Sequence, residues 1–318
     1  MNKKLLFSIS FCTILLTLFI LVHNSIYFKF LFEIIKINKS LPTVSSDFYS
    51  DPIVDITYKD IVYKTRDDLN LKLDIYSSVN NDSPSPVIIY VFGNGWTDGD
   101  KVIPSGIHPI INLLQEEGYT IISTSYELIE DDIILDKQIS DIKDTIRWVY
   151  KNSDVYNLDT NNIGIISPSA GAQLSMVAAF SDNSEFIDDL SLSSYPSKVK
   201  YIIDLFGPTY LSKINLSEGP VEITRNLTVE KLENLSNLYS PVNYVDYNLP
   251  NTLIIHSLND SIVPYYTSID FYNKALEYKN DFKFYTLNDC THYLENLSEE
   301  EALNLYMTIL DYIIDQTK

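Results

Sequence analysis

The stretch Ile163-Gly164-Ile165-Ile166-Ser167-Pro168-Ser169-Ala170-Gly171-Ala172 carries the clearest structural signal in the chain. An apolar run of the strand type leads into a Ser-x-Ser-x-Gly sequence, and a helical segment over residues 172–179 follows. A strand that enters a helix through small residues makes a sharp turn, with the central serine exposed at its tip. The backbone N–H after that serine points toward a bound carbonyl oxygen. The pattern favours Ser169 as a nucleophile, and capping of the helix by Ser167 or Ser169 is the alternative.

Other apolar runs recur on both sides of this stretch. They lie at residues 87–92, 119–126, 199–206, 252–256 and 282–287, in addition to 163–166. Continuous runs of this kind are typical of strands covered on both faces. Apolar side chains at helical spacing occur between and after them, at Ile139, Ile142, Ile146 and Val149 and at Leu303, Met307, Leu310 and Ile314. The alternation predicts an α/β fold with a mostly parallel central sheet and helices on both faces.

Two strand-like segments, residues 56–64 and 69–76, precede these runs and flank the turn Arg66-Asp67-Asp68. In the second segment, apolar residues alternate with polar ones, as in a half-buried antiparallel strand. We therefore expect antiparallel N-terminal strands. The interval 207–250 is longer than a simple crossover requires, and such insertions often cover a site. A lid is predicted there.

The charge of the chain excludes one class of partner. The 23 Lys and Arg against 43 Asp and Glu give a net charge of −20. Such a chain repels a phosphate backbone, which argues against nucleic-acid binding. The two cysteines, Cys12 and Cys290, are too few and too far apart for a disulfide framework.

A nucleophilic serine needs a histidine to take its proton and an acid to orient that histidine. In a fold of this order both partners follow the serine, the acid first. The four histidines are His23, His108, His256 and His292. His292 follows the run 282–287, whereas His256 is interpreted as a strand-end residue. Asp260 follows the preceding strand, so Ser169, Asp260 and His292 are the predicted triad. Asp289, in the histidine's own loop, is the rival acid.

From about residue 55 to 314 the chain resembles α/β-hydrolases of the carboxylesterase and lipase group. Within this group it most resembles bacterial esterases of the feruloyl-esterase-like and hormone-sensitive-lipase-like branches. The matching segments, in chain order, are Phe92-Gly93-Asn94-Gly95-Trp96 with Gly99-Asp100-Lys101, residues 141–149, Ser169-Ala170-Gly171, Ser240-Pro241-Val242, and Asp260 with Val263-Pro264. The resemblance implies the α/β-hydrolase fold and ester hydrolysis.

The same resemblance implies an oxyanion loop after the strand that ends at Phe92. The N–H groups of Asn94, Gly95 and Ala170 would stabilise the oxyanion, and Trp96 becomes a candidate substrate contact. Phe92 and Asn94 stand where the family has His and Gly. Because the donors are backbone N–H groups, both changes leave the chemistry possible, and asparagine is among the residues that tolerate positive φ.

The N-terminal region predicts a membrane segment. Residues 5–22 are mostly apolar and uncharged, and Lys3 and Lys4 precede them. That length suits a spanning helix, and a cleaved signal peptide is the competing interpretation. We expect residues 1–40 to form a signal anchor and juxtamembrane segment, 41–54 a linker, and 55–318 the catalytic domain. With the short N-terminal tail inside, the single-pass protein would carry this domain outside the cytoplasm, and secretion is the alternative.

Together these features predict a membrane-anchored serine carboxylesterase that acts on a small-molecule ester. No metal or organic cofactor is implied. A hydrolase fold that has lost activity and serves as a binding module is one alternative. A serine peptidase of the prolyl-oligopeptidase type is another, although such enzymes usually carry a large accessory domain.

Overall fold

The computed structural model describes residues 56–80, 82–130, 134–215, 217 and 229–317. Their centre is an eight-stranded sheet in the order β1-β2-β4-β3-β5-β6-β7-β8. The strands are β1 (Tyr58–Arg66), β2 (Leu69–Tyr76), β3 (Ser85–Val91), β4 (Thr120–Thr124), β5 (Leu158–Pro168), β6 (Tyr201–Leu205), β7 (Asn251–Ser257) and β8 (Phe282–Leu287). The pairs β1–β2 and β2–β4 are antiparallel, and all other neighbouring pairs are parallel. The predicted mostly parallel sheet with antiparallel N-terminal strands is confirmed.

Helices cover both faces of this sheet, as predicted. The α-helices in the described ranges are α1 (His108–Glu116), α2 (Leu135–Lys151), α3 (Ser153–Tyr156), α4 (Ser169–Phe180), α5 (Val229–Tyr239), α6 (Tyr265–Glu277) and α7 (Glu299–Thr317). The crossover from β3 to β4 runs in the opposite direction along the sheet from those that lead to β5, β6 and β8. Because parallel crossovers are right-handed, α1 lies on one face and α2, α4 and α6 lie on the other.

The inner strands consist of apolar runs because both of their faces are covered. In β3, Ile88 and Ile89 point to opposite faces, and both are buried. Full burial of one such side chain contributes about 1.5–3 kcal/mol. An alternating pattern would leave one face of these strands polar against a helix, so the continuous run is the form that this position in the sheet requires.

An ionic cluster attaches the edge strand β1 to α2. Lys64 Nζ lies 2.8 Å from Asp141 Oδ1 and 2.7 Å from Asp144 Oδ2, and all three side chains are buried. The two carboxylates are three residues apart and therefore share one face of the helix. Arg66 forms ion pairs with Asp141 and with Glu127. Glu127 lies in the segment after β4. The cluster thus fixes the segment after β4, which lies at the carboxyl ends of the parallel strands.

Two predictions concern regions that the structure describes in part or not at all. The anchor and linker expected at residues 1–54 lie outside the described residues. No helix within the described ranges has the length and apolar character needed to cross a membrane. In the interval 207–250 the structure describes a 3-10 turn at Leu211–Lys213, helix α5 and a second turn at Pro241–Tyr244, so the lid stays a prediction.

Candidate active site

The turn from β5 into α4 has the conformation that its sequence predicts. Pro168 is extended, and Ser169, the first residue of α4, has a φ of +50°. A positive φ is strained for a residue with a Cβ and is often found at functional sites. No side chain caps the helix, and the buried Oγ of Ser167 has no hydrogen-bond partner among the described residues. The capping alternative is therefore not observed.

Two glycines let this turn pass close to the end of β3. A Cβ on Gly171 would lie 2.2 Å from the carbonyl oxygen of Phe92, and a Cβ on Gly93 would lie 2.7 Å from that of Pro168. Both distances are far below van der Waals contact, and in both cases the opposing atom is backbone. The loop after β3 therefore lies directly against Ser169.

We expect Gly171→Ala to destabilise the fold by about 1–3 kcal/mol, because the added methyl group forces two backbone segments apart. Gly106→Ala is the matched control, since a Cβ added at Gly106 would meet no atom within 4 Å. Chemical denaturation of both variants measures the difference. Equal free energies of unfolding would show that α4 and β3 approach each other less closely than these distances indicate.

Ser169, His292 and Asp260 form a continuous chain of hydrogen bonds. Ser169 Oγ lies 2.8 Å from His292 Nε2, and His292 Nδ1 lies 2.7 Å from Asp260 Oδ2. Ser169 follows β5, Asp260 follows β7 and His292 follows β8. Since these strands are parallel, their carboxyl ends meet at one edge, which brings together residues up to 123 positions apart.

The carboxylate of Asp260 is held on both of its oxygens. Oδ1 accepts the backbone N–H groups of Ile262 and Val263, at 2.9 and 2.8 Å. Oδ2 lies between two imidazoles, those of His292 and His256. Burial alone would raise the pKa of Asp260, but the hydrogen bonds to the two histidines outweigh it and hold the pKa well below its usual range. The carboxyl group is therefore ionised at neutral pH and accepts hydrogen bonds only.

The rival acid, Asp289, is exposed. Asp260 rather than Asp289 bonds Nδ1 of His292. The imidazole of His292 is also packed between two aromatic rings, Phe206 at 5.0 Å and Tyr293 at 5.5 Å between centroids. These contacts restrict the movement of the imidazole.

The loop after β3 contains three consecutive residues with positive φ. Asn94, Gly95 and Trp96 have φ values of +80°, +65° and +66°. The side-chain amide of Asn94 donates to Asp98 at 2.9 Å, which closes the turn. Ala170 lies in the first turn of α4, where N–H groups have no intrahelical partner and the helix dipole favours an anion. The assignment of Asn94, Gly95 and Ala170 to an oxyanion hole stays a prediction.

Trp96 is buried, and its polar atoms are bonded within the protein. The indole Nε1 donates to Gln173 Oε1 at 2.8 Å, and the backbone carbonyl accepts from Gln138 Nε2 and from the N–H of Ile129. Gln173 lies one turn beyond Ser169 on α4 and donates to the carbonyl oxygen of Tyr239 at the end of α5. These bonds give Trp96 a role in holding the loop, while the predicted substrate contact stays untested.

We expect Trp96→Phe to lower kcat by about tenfold, because it leaves the buried Oε1 of Gln173 unpaired and loosens the loop. Trp148→Phe is the control, since the second tryptophan is equally buried but packs against Tyr156 on the far side of α2. Steady-state ester hydrolysis by the two variants gives the comparison. Equal kcat values would show that the indole bond does not position the loop.

His256 is a site residue whose role the sequence did not reveal. The prediction that His256 lies at the end of a strand is confirmed, because β7 ends at Ser257. The side chain is fully buried and reaches Asp260. The available signal was the spacing of four residues between a buried histidine and the acid of the triad.

Two further features bear on what this site can hold. Among the described residues, no group of three or more His, Cys, Asp or Glu side chains is arranged to bind a metal ion. A groove of about 950 Å³ lies at the opposite ends of the strands, where Lys200 precedes β6 and Asn251 begins β7. The triad and the groove are therefore separate features of the molecule.

Comparison with known proteins identifies the family. The model of the BD-FAE family matches residues 73–275. Among curated proteins of Mycobacterium tuberculosis, the chain is 24% identical over 190 residues to esterase LipC, and 26% identical over 200 residues to LipM, named a probable carboxylic ester hydrolase. These alignments cover 57% and 60% of this chain and 46% of each relative. The chain thus spans about half the length of the curated relatives it matches.

A solved structure shows the same fold. The thermophilic esterase Est2 of Thermogutta terrifontis, bound to butyrate, superposes with a TM-score of 0.66 at 21% identity, covering 80% of this chain and 94% of that chain. At this identity the likeness concerns the fold alone. The family match covers more than half of the chain, including Ser169 and Asp260. The chain therefore belongs to the BD-FAE family, within the carboxylesterase and lipase group of α/β-hydrolases.

Proposed function

We propose that the protein is a serine hydrolase of carboxylic esters, with Ser169 as nucleophile. The observation that carries this proposal is the chain of hydrogen bonds from Ser169 through His292 to Asp260, at 2.8 and 2.7 Å. The names of the relatives LipC and LipM, an esterase and a probable carboxylic ester hydrolase, support the same class of reaction.

In the proposed reaction, His292 Nε2 takes the proton of Ser169 while Oγ attacks the ester carbonyl carbon. His292 then returns that proton to the oxygen of the leaving alcohol, and an acyl-enzyme forms on Oγ. A water molecule attacks the acyl carbon in the second half, with His292 again acting as base and then as acid. His292 is neutral again after each half. In the second half the bond between the acyl carbon and Oγ breaks, the carboxylic acid leaves, and Oγ regains a proton from His292.

Asp260 acts through His292. As a carboxylate that only accepts hydrogen bonds, it requires the proton of the neutral imidazole to sit on Nδ1, which leaves Nε2 free to accept from Ser169. The imidazolium that forms during the attack is stabilised by the same charge. The backbone N–H groups of Asn94, Gly95 and Ala170 are the proposed donors to the oxygen that becomes negative.

A panel of p-nitrophenyl esters with acyl chains of increasing length tests this proposal on the full chain. We expect hydrolysis with burst kinetics, since an acyl-enzyme accumulates when the second half is slow. A parallel panel of peptide p-nitroanilides separates esterase from peptidase. Turnover of anilides alone would replace the proposal with a peptidase, and absence of turnover on both panels would favour a binding module.

We also propose that residues 1–40 anchor the protein in a membrane as a single-pass segment, with the catalytic domain outside the cytoplasm. The support is the uncharged apolar run 5–22 after Lys3 and Lys4. Anchored protein should stay with membranes through high-salt and carbonate washes, and protease added to intact cells should reach the domain. Release of activity into the medium would instead indicate a secreted esterase.

A further inference from the structure

A second buried histidine, besides His292, lies against the acid of the candidate triad. His256 Nε2 lies 3.1 Å from Asp260 Oδ2, the oxygen that also receives His292 Nδ1. The imidazole of His256 is fully buried at the end of β7. A buried imidazole costs free energy unless its nitrogens are satisfied, so the arrangement of its bonds is specific.

The partners of His256 determine where its proton lies. Nε2 is 2.9 Å from the carbonyl oxygen of Val263 and also faces the ionised carboxylate of Asp260. Both of these groups only accept hydrogen bonds, so Nε2 carries a proton. That N–H donates to Val263 at 2.9 Å, and Asp260 Oδ2 lies 3.1 Å from the same nitrogen. Nδ1 lies 2.8 Å from the hydroxyl of Ser268 on α6, which can donate to it. His256 is thus held in place with its Nε2–H beside Asp260 Oδ2.

Three hydrogen bonds and the Nε2–H of His256 surround the carboxylate of Asp260. Ile262 and Val263 hold Oδ1, and without His256 the group could still turn about this pair. The Nε2–H of His256 removes that freedom and places Oδ2 where it meets His292 Nδ1. None of the polar contacts of His256 reaches Ser169, so it acts through Asp260.

We propose that His256 is a positioning residue of the catalytic site, which fixes the Asp260 carboxylate and limits how strongly that carboxylate attracts a proton to His292. The inference rests on the proposed function, because it concerns the same triad. It assigns to a core histidine a part in setting the pH range and the turnover of the enzyme.

Other ionisable groups also face this pair, and the test must separate them. Asp204 on β6 interacts electrostatically with His256, and burial raises the pKa of Asp204 to about 7. Tyr265 on α6 packs edge-on against the His256 ring at 5.9 Å. Cys290 and Tyr293, in the loop after β8, interact electrostatically with Asp260. Of these, Asp204 ionises near neutral pH and needs its own control.

The test compares His256→Leu with His256→Gln. Leucine fills the site without a donor, whereas the amide nitrogen of glutamine can take the place of Nε2. In His256→Leu we expect kcat to fall about ten- to a hundredfold, the loss of one hydrogen bond to a charged group, with KM nearly unchanged. The acid limb of the kcat/KM profile should move to higher pH by about half a unit or more, because Asp260 with fewer donors favours protonated His292. His256→Gln should restore both values most of the way.

Two controls separate positioning from a general loss of stability. Ile255→Val trims the neighbouring buried side chain on the opposite face of β7 and should leave the pH profile in place. Repeating the comparison in an Asp204→Asn background removes the titration of Asp204, and the shift should persist there. Ser268→Ala is a milder change that removes the partner of His256 Nδ1. It should move the acid limb of the kcat/KM profile in the same direction but by a smaller amount. If His256→Leu does not fold, this variant tests the role of His256 instead.

An unchanged acid limb in folded His256→Leu, a shift that disappears in the Asp204→Asn background, or a glutamine variant as impaired as the leucine variant would each overturn the inference. Proton NMR titration of the His292 ring gives the same readout without turnover, and its pH midpoint should rise in His256→Leu. A wild type that hydrolyses no ester would overturn the proposed function, while this NMR shift would still decide the role of His256.

Discussion

Replacement of Ser169 by alanine is expected to lower ester hydrolysis by roughly a thousand- to a millionfold while the protein stays folded. The physical reason is that the substitution removes one atom, the Oγ that bonds His292 Nε2. Without it no acyl-enzyme forms, and whatever rate remains comes from the other groups of the site. Hydrolysis of a p-nitrophenyl ester and circular dichroism of the same sample measure the two parts of this result.

Ser167→Ala is the matched control for this experiment. Ser167 lies two residues before Ser169 in the same turn, and its buried Oγ has no partner among the described residues. Removal of that oxygen should leave kcat within a few fold of the wild type. If Ser169→Ala kept more than a tenth of the activity, or if Ser167→Ala lost as much, the nucleophile would have been misassigned.

Asp260→Asn should lower kcat by about ten-thousandfold, the second large effect. The amide of asparagine can donate to His292 Nδ1, which favours the tautomer whose proton sits on Nε2. That nitrogen can then no longer accept the proton of Ser169. The residual rate should recover at high pH, where hydroxide or an ionised serine replaces the missing base.

Asp289→Asn separates the two acids that the sequence left as candidates. Asp289 is exposed and follows β8 in the loop that leads to His292, so its change should cost no more than a few fold in kcat. A reversal, with a mild effect of Asp260→Asn and a severe effect of Asp289→Asn, would show that the acid in solution is not the one bonded in the structure.

The candidate triad could be predicted because its residues follow the carboxyl ends of parallel strands, and their order along the chain indicates which residues meet there. The apolar runs 163–166, 252–256 and 282–287 predicted strands, and the structure places β5, β7 and β8 there. Once these strands are parallel, the residues that follow them meet at one edge. The run 282–287 agrees with β8 at both ends, because the polar residues Asp281 and Asn288 bound it.

The predicted strand boundaries are wrong where aromatic residues extend an apolar run beyond the hydrogen-bonded strand. The run 119–126 predicted a longer strand than β4, which covers Thr120–Thr124. Tyr126 leaves the sheet and stacks on Phe92 at 4.3 Å between ring centroids. Conversely, β5 begins at Leu158, before its apolar run, because Ser85 and Pro86 of β3 pair with Leu158 and Asp159.

The roles of Trp96 and His256 could not be predicted from hydrophobic patterning. For Trp96 the reason is a partner distant in sequence, and for His256 it is the direction in which its ring nitrogens face. Trp96 bonds Gln173, 77 positions away. His256 bonds Ser268, and its approach to Asp260 requires the chain to turn back after β7. Hydrophobic patterning reports that a residue is buried, but it does not report which atom a buried nitrogen faces.

Reaction of the full chain with a fluorophosphonate probe, followed by mass spectrometry, tests the central claim most directly. A fluorophosphonate bonds covalently to a serine that an adjacent base activates. We expect one adduct per chain, on the peptide that contains Ser169, with loss of ester hydrolysis in proportion to labelling. An active protein that takes up no probe, or an adduct on another residue with Ser169 unmodified, would contradict it.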